Sequence, residues 1–305
     1  MWLILAFVSA AMLGCYDVFK KMALRDNAVI PVLFFNTLFS SLIFLPFILL
    51  SHNSSTLDGS VVHVASGGWE AHRYILLKAV IVLSSWILGY FGMKHLPLTI
   101  VGPINATRPV MVLVGALLVF GERLNGWQWA GVMMAVASYF LLRRSSRKEG
   151  IDFRHDRWIY MTIGAALLGA LSGLYDKFLM APAESGGVGL NRMMVQSWYN
   201  IYQCGMMGVM LLLLWWPSHR HTTPFRWRWS ILCVSTFLSV ADFLYFFSLS
   251  QPDALISVVS MIRRGSVIVS FLFGALLFHE KNLRAKAFDL FLMLLGLLFL
   301  WIGSR

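Results

Sequence analysis

Apolar residues form ten long runs along the chain, and short polar or basic segments separate each run from the next. An α-helix needs roughly 20 residues to cross a hydrocarbon core about 30 Å thick. The runs therefore predict ten membrane-spanning helices, at approximately 2–22, 29–50, 74–93, 98–120, 126–143, 158–180, 193–216, 229–249, 253–278 and 285–303. Because no stretch is left over for a soluble domain, we predict an all-α integral membrane protein.

The amino-acid composition agrees with a lipid environment. Hydrophobic residues make up 58% and charged residues 13% of the chain, and the mean hydropathy is +0.71. A soluble domain carries about 25% charged residues, roughly twice the fraction found here. Most of the protein surface must therefore face lipid rather than water.

Polar positions of the first half recur in the second half in the same order. The corresponding positions are Tyr16 and Asp17 with Tyr175 and Asp176, Asn36 with Asn200, Tyr90 and Pro97 with Tyr245 and Pro252, Arg108 with Arg263, and Glu122 with Glu280. Each half holds five predicted spans, and an odd number of spans inverts a duplicated half in the membrane. We therefore predict two inverted five-helix repeats, residues 1–150 and 151–305.

Basic residues are concentrated on one set of alternate connecting segments. Sixteen Lys and Arg residues fall on that set: Lys20, Lys21, Arg25, Lys94, Arg143, Arg144, Arg147, Lys148, Arg154, Arg157, Arg220, Arg226, Arg228, Lys281, Arg284 and Lys286. The other set, with the C-terminus, holds five: Arg73, Lys78, Arg123, Arg192 and Arg305. Because basic loops stay in the cytoplasm, we predict that both termini lie outside. The net charge of +11 then serves membrane insertion, and we expect no nucleic acid as a partner.

These motifs resemble the EamA-type ten-span transporters of the drug/metabolite transporter superfamily. The resemblance rests on the Pro that opens the fourth and ninth spans, the Gly-Ala-Leu-Leu runs that follow, and the closing Glu122 and Glu280. It implies a secondary carrier that moves small solutes by alternating access, with a central cavity lined by helices of both halves. Such transporters are usually drawn with cytoplasmic termini, whereas the charge distribution here favours termini outside.

Two arginines are expected near the middle of the membrane. Arg108 lies 11 residues after Pro97, which is roughly 16 Å along a helix, and Arg263 has the same depth in the second half. An ionisable group at that depth normally faces the helix bundle or water, and a guanidinium suits a carboxylate or phosphate. Two interpretations stay open: the arginines bind substrate, or they bridge the halves by pairing with a buried aspartate.

The two arginines differ in their neighbours. Arg264 follows Arg263, whereas Pro109 follows Arg108. A second arginine deepens the positive potential, so we predict that Arg263 binds substrate and that Arg108 is structural. We also expect one of the two adjacent arginines to point away from whatever the other faces.

Three aspartates inside predicted spans are candidates to carry a coupling proton: Asp17, Asp176 and Asp242. Lys20 and Lys21 follow Asp17 at i+3 and i+4 and are expected to pair with it. Lys177 points elsewhere on the helix from Asp176, and no cationic residue is near Asp242 in sequence. Asp242 is therefore the favoured proton site, followed by Asp176.

Amides and tyrosines complete the candidate site. Asn36, Asn200 and Gln203 could hydrogen-bond a substrate, or could join helices at about 1 kcal/mol each. Tyr90 and Tyr245 lie close to the proline breaks where a cavity would be lined, although packing is the favoured role for both.

The favoured function is a secondary transporter, with export the expected direction, for a small anionic or zwitterionic metabolite, and with a proton as a candidate coupling ion. The alternative is a flippase or exporter of an amphiphile or lipid-linked headgroup. An intramembrane enzyme is a remote alternative, because the spans lack Ser/His, HExxH and paired-Asp motifs. We therefore expect no enzyme activity, cofactor or metal. The expected partners are the substrate and a cell membrane, bacterial inner membrane by preference, with the protein a monomer or homodimer.

Overall fold

The described residues of the chain fold into helices and contain no β-strand. This computed structural model describes residues 2–108, 110–111, 125–147, 155–180, 186–220, 222–249, 262–278 and 283–303. The helices are α1 (Trp2–Leu24), α2 (Val29–Asn53), α3 (Trp69–His95), α4 (Leu98–Ala106), α5 (Gly126–Arg147), α6 (Arg157–Met180), α7 (Arg192–Met210), α8 (Trp229–Leu249), α9 (Ser266–Leu277) and α10 (Leu283–Gly303). A π-helical turn (Leu211–Trp215) and a last helical turn (Trp216–Ser218) extend α7, and a 3₁₀ turn (Ser55–Leu57) follows α2.

Five helical segments among the described residues are long and apolar enough to cross a membrane. They are Val29–Asn53, Trp69–His95, Arg157–Met180, Arg192–Ser218 and Trp229–Ser248. Ala287–Gly303 is a shorter apolar helix. The five segments correspond to the second, third, sixth, seventh and eighth predicted spans, and the other five spans stay predictions. The fold is that of a multi-pass membrane protein.

Most helix boundaries follow the predicted apolar runs closely; the exceptions are the early start of α3 and the interrupted fourth and ninth segments. Helix α3 begins at Trp69, before the apolar run at 74. The apolar run misses this start because the first turns of the helix are polar and mostly exposed. Arg73 and Glu70 form an i,i+3 ion pair of 3.4 Å there. Parts of the fourth and ninth predicted spans, 112–120 and 253–261, lie outside the described residues, as do Glu122, Pro252 and Glu280.

The main helix contacts join the first half of the chain to the second. Helix α1 packs along α8, α3 along α6, α2 along α7, α4 along α9 and α5 along α10. The exchange of each helix for its counterpart in the other half (α1 for α6, α2 for α7 and so on) turns each of these five contacts into another of the five or into itself. Four of the smaller contacts follow the same exchange, since α1–α9 corresponds to α6–α4 and α2–α8 to α7–α3. Two copies of one five-helix unit would produce this pattern.

The turn between α1 and α2 is tied to the segment before α8 by Asn27, which is fully buried. Its Oδ1 accepts hydrogen bonds from the backbone N–H of Ala28 (2.9 Å) and Arg226 (2.8 Å). Its Nδ2 donates to the carbonyls of Ala23 (3.0 Å) and Arg226 (2.7 Å). Asp26 takes the left-handed conformation that this tight turn needs, with φ of 50°. Asn27 thus fixes the end of α1 relative to α8.

The fourth and ninth helical segments are each interrupted by a tight turn. Thr107 ends α4, and its N–H bonds the carbonyl of Ile104 (3.2 Å), three residues back. Gly265 precedes α9, and its N–H likewise bonds the carbonyl of Ile262 (2.9 Å). Bonds to the residue three positions back are tighter than those of an α-helix. Each interruption lies beside an arginine, Arg108 or Arg264.

Candidate functional site

A cavity of about 200 Å³ lies between helices of both halves. Its polar lining includes Tyr16, Asp17 and Lys20 of α1, Lys78 and Ser85 of α3, Asn105 and Arg108 of the fourth segment, Ser172 and Asp176 of α6, Tyr199 of α7, Asp242 and Tyr245 of α8, and Arg263, Arg264 and Ser266 of the ninth segment. Among the described residues the lining holds five basic and three acidic side chains. The cavity therefore carries two positive charges in excess.

Four of these charged side chains form two ion pairs, which we call the paired group. Lys78 pairs with Asp176, and Arg263 pairs with Asp242. Tyr199 joins the two pairs, since its hydroxyl donates to Oδ2 of Asp242 (3.3 Å) and its ring centre lies 5.1 Å from Nζ of Lys78. The paired group is neutral in sum.

The other four charged side chains form a second group, which we call the cationic group: Lys20, Arg108, Arg264 and Asp17. The Asp17 carboxylate accepts a hydrogen bond from Oγ of Ser270 (3.2 Å) and lies within electrostatic range of all three cations. It forms no ion pair with any Lys or Arg in the part of the chain that the structure describes. One carboxylate therefore faces three cations, and the excess charge of the cavity belongs to this group.

Arg108 is positioned by an amide and by a glycine. Its Nη2 donates to Oδ1 of Asn105 (3.2 Å), one helical turn earlier. Its guanidinium lies against the backbone of Gly169 in α6, where an added methyl group would be 2.6 Å from Cζ of Arg108. Its buried Nε has no hydrogen-bond partner within the described ranges. The missing side chain of Gly169 thus lets the guanidinium pass into the cavity.

Arg263 and Arg264 both line the cavity, where Arg263 belongs to the paired group and Arg264 to the cationic group; the expectation that they face different partners stays a prediction. Successive residues on a helix are about 100° apart, and two long flexible side chains can reach one cavity from those directions. Arg263 forms its ion pair with Asp242 and lies 4.2 Å from the ring centre of Tyr245. Nε of Arg264 is buried and has no hydrogen-bond partner among the described residues.

Lys20 is buried inside the helix bundle instead of reaching the membrane surface. It is 7% exposed, and its Nζ lies 4.3 Å from the ring centre of Tyr90 and 5.2 Å from that of Tyr16. The expected pairing of Asp17 with Lys20 and Lys21 is absent. Lys21 instead donates to the carbonyls at the end of α3, Met93 (2.7 Å) and Leu96 (2.5 Å).

The assignment of Lys20 and Lys78 to connecting segments is wrong. Helix α1 continues to Leu24 and α3 begins at Trp69, so both lysines lie within helices, and both line the cavity. Without them the basic residues number fifteen on one set of segments and four on the other. The charge asymmetry that predicts external termini is therefore unchanged.

No cationic residue is near Asp242 in sequence, but the fold brings Arg263 to it from the ninth segment. Asp176 is likewise paired, with Lys78. Asp17, the least favoured of the three carboxylates from the sequence, is the one without an ion pair in the described part of the chain. The Arg263–Asp242 pair lies within the second half, so the bridge between halves is the Lys78–Asp176 pair.

The predicted amides lie outside the cavity lining, on the α2 and α7 helices that pack together. Asn36 and Gln203 are fully buried, and neither amide has a hydrogen-bond partner among the described residues. Nδ2 of Asn200 donates to the carbonyl of Gln196 (2.8 Å), and Oγ of Ser41 donates to the carbonyl of Asn200 (2.9 Å). This placement suits helix association, and substrate binding by these amides stays a prediction.

The two predicted site tyrosines, Tyr90 and Tyr245, lie in different places. Tyr245 lines the cavity, whereas Tyr90 is fully buried beneath Lys20.

No role in the site was predicted for Lys20, Lys78, Asn105 or Tyr199. A signal existed for the two lysines, because each falls inside an apolar run where a charge is expensive and marks a functional position. Asn105 and Tyr199 carried no comparable signal, since a lone amide or tyrosine in a span is common.

Comparisons with known proteins agree with this architecture. No curated protein matches the sequence. A crystal structure described only as "Crystal structure of protein" is 13% identical, with a TM-score of 0.62 over 99% of this chain and 97% of that chain. At that identity the likeness shows the fold alone. A sequence model of the EamA-like transporter family matches residues 1–144. The first half of the chain is therefore similar to the EamA-like transporter family, a branch of the drug/metabolite transporter superfamily.

Proposed function

We propose that the protein is a secondary transporter that moves a small anionic or zwitterionic metabolite across the membrane by alternating access. The observation that carries the proposal is the excess of positive charge in a cavity enclosed by helices of both halves. Charged side chains inside a membrane are costly and mark solute pathways. The cavity is therefore the proposed binding site.

The interrupted helices support the same site. In carriers built from repeats, the substrate lies between the repeats beside discontinuous helices. Here the interruptions at Thr107 and Gly265 adjoin Arg108 and Arg264, which line the cavity. The exchange symmetry of the helix contacts supports two repeats, and the odd number of spans in each repeat supports their inversion.

Further features of the proposal rest on the sequence. Export is the proposed direction, and the proposed coupling ion is a proton carried by a cavity carboxylate. The basic segments support an orientation with both termini outside. A bacterial inner membrane is the proposed location, and a monomer or homodimer is the proposed assembly. A cavity of about 200 Å³ is smaller than the roughly 300 to 1,000 Å³ of drug-sized ligand pockets. It favours a small solute over an amphiphile.

Transport through this cavity is tested by blocking it. Solutes that raise the melting temperature of the purified protein are first identified, because a ligand stabilises the state that it binds. Counterflow of each such solute is then measured in proteoliposomes. Ser172→Phe places a ring in the cavity and should abolish counterflow. Gly173→Phe is the matched control, because a side chain at Gly173 meets open space on the same helix.

Loss of flux in Ser172→Phe with normal flux in Gly173→Phe is the expected result. If both variants fold and transport like the wild type, the solute does not pass through this cavity and the proposal fails.

A further inference from the structure

The charge excess of the cavity is confined to one group of side chains. The paired group consists of two ion pairs and needs no further counter-charge. The cationic group has the single carboxylate of Asp17 against Lys20, Arg108 and Arg264. Two of its positive charges are therefore uncompensated within the described part of the chain.

Uncompensated cations in a buried site are unfavourable, because removal from water is not repaid by a partner charge. Arg108 and Arg264 also lie within electrostatic range of each other, and both carry positive charge. Each arginine has a buried Nε without a hydrogen-bond partner among the described residues. An anion that neutralises two charges and accepts several N–H bonds would satisfy all of these groups together.

The chemistry of the three cations selects one class of anion. Guanidinium forks bind phosphate oxygens in a bidentate manner, and a lysine ammonium adds a point charge. A phosphate monoester carries about −1.5 to −2 charges near neutral pH, which matches the excess, whereas a single carboxylate would leave one cation uncompensated. We propose that Lys20, Arg108 and Arg264 form a subsite for the dianionic phosphoryl group of a small solute.

This subsite deepens the proposed function, on which it rests for the cavity being a solute site. It moves anion binding from Arg263, which the sequence favoured, to Arg264 and Arg108. Arg263 forms an ion pair with Asp242 and lines the adjoining part of the cavity. Lys20 becomes a specificity residue, held by the faces of two aromatic rings.

The direct test compares a dianion with a monoanion of similar shape. Titration calorimetry on the purified full-length protein in detergent at pH 8 would use methyl phosphate and dimethyl phosphate. Methyl phosphate should bind at least about tenfold more tightly, since the diester has one negative charge. Arg264→Gln and Lys20→Met should each lower methyl phosphate affinity at least about tenfold. Arg157→Gln, which removes an exposed arginine outside the cavity, is the control and should leave affinity within about twofold.

Stability without ligand provides a second readout. Arg264→Gln and Lys20→Met remove uncompensated charges, so each apo variant should melt at or above the wild-type temperature. Arg264→Lys keeps the charge and loses the planar fork, and it should fold normally and bind methyl phosphate more weakly. Equal binding of the two phosphates, or wild-type affinity in all three variants, would overturn the subsite.

The source of the phosphoryl group is resolved by the choice of probe. Inorganic phosphate, methyl phosphate and vesicles that contain phosphatidic acid offer the same dianionic chemistry as a free ion, a soluble ester and a lipid headgroup. The subsite predicts that Arg264→Gln weakens binding of whichever probe competes with methyl phosphate. If methyl phosphate binds as expected but no phosphorylated solute crosses proteoliposomes, the transport proposal fails and the subsite stands. If Ser172→Phe blocks flux of a solute that Arg264→Gln leaves unaffected, the subsite fails and transport stands.

Discussion

Lys78 of α3 forms an ion pair with Asp176 of α6, and this pair joins the first half of the chain to the second. The Lys78 side chain is 4% exposed and that of Asp176 is 22% exposed. Helices α3 and α6 pack along one another, so the pair lies within their contact. A movement that separated these helices would leave two charges unpaired. We therefore infer that the pair holds α3 and α6 together, and that the two helices would move as one unit in the proposed alternating access.

The Lys78–Asp176 pair is expected to stabilise the fold only while both partners are present. Lys78→Met leaves Asp176 without its partner, and breaking a buried pair typically costs about 3 to 5 kcal/mol. Because Asp176 is partly exposed, we expect a value near the lower end. The double variant Lys78→Met with Asp176→Asn should recover most of the loss. Melting temperatures in detergent measure both effects, and a double variant as unstable as Lys78→Met would contradict this account.

A substitution at Gly169 is expected to move Arg108 while leaving every charge of the cavity in place. A methyl group at Gly169 would overlap the guanidinium, 2.6 Å from Cζ, so Gly169→Ala should displace Arg108 from the cavity. We expect solute affinity to fall about tenfold or more, the value of one charge-assisted contact. Gly173→Ala, four residues along α6 and facing open space, should bind as the wild type does. Equal affinity of the two variants would exclude a positioning role for Gly169.

Helix positions were predictable because each depends on local sequence. Apolar runs of membrane-spanning length locate α2, α6, α7 and α8 within a few residues, since lipid leaves the backbone few alternatives. The recurring polar positions also indicated which helices correspond, and the helix contacts follow that correspondence. The early start of α3 at Trp69 was missed because polar first turns carry no apolar signal.

Side-chain pairing could not be predicted from sequence spacing. Arg108, Tyr245 and the three aspartates do line the cavity, because a charge in a span must face the bundle interior. Which cation meets which carboxylate depends on contacts between distant helices. Asp242 forms an ion pair with Arg263, which is 21 residues away in sequence. Asp17 forms no ion pair with Lys20, which is one helical turn away. The partner of a buried charge is therefore a property of the tertiary fold.

The orientation in the membrane is expected to follow the basic segments. Cysteines would be introduced singly on a background in which Cys15, Cys204 and Cys233 are replaced. Ser60→Cys, in the exposed segment between α2 and α3, should react with an impermeant maleimide in intact cells. Thr222→Cys, in the exposed segment before α8, should react only after permeabilisation. The reverse labelling pattern would invert the orientation and leave the fold unchanged.

The Asp17→Asn and Asp242→Asn variants are expected to differ in melting temperature and in flux driven by a pH gradient. Asp17→Asn removes the carboxylate that has no ion pair among the described residues and that faces three cations. Anion binding should therefore be retained or become tighter, because the only negative charge of the cationic group is gone. If Asp17 carries the coupling proton, flux driven by a pH gradient in proteoliposomes should fall well below the wild-type rate, while exchange without a gradient continues.

Asp242→Asn should behave differently, because it leaves the buried Arg263 without its partner. We expect it to lower the melting temperature, and the second change Arg263→Gln should restore most of that loss. Gradient-driven flux that is normal in Asp17→Asn, and abolished in Asp242→Asn under conditions where that variant stays folded, would reassign the proton to Asp242. A carboxylate held in an ion pair must give up that partner before it can take up a proton. Asp17 has no ion pair among the described residues, so Asp17 is the carboxylate that we propose for the coupling proton.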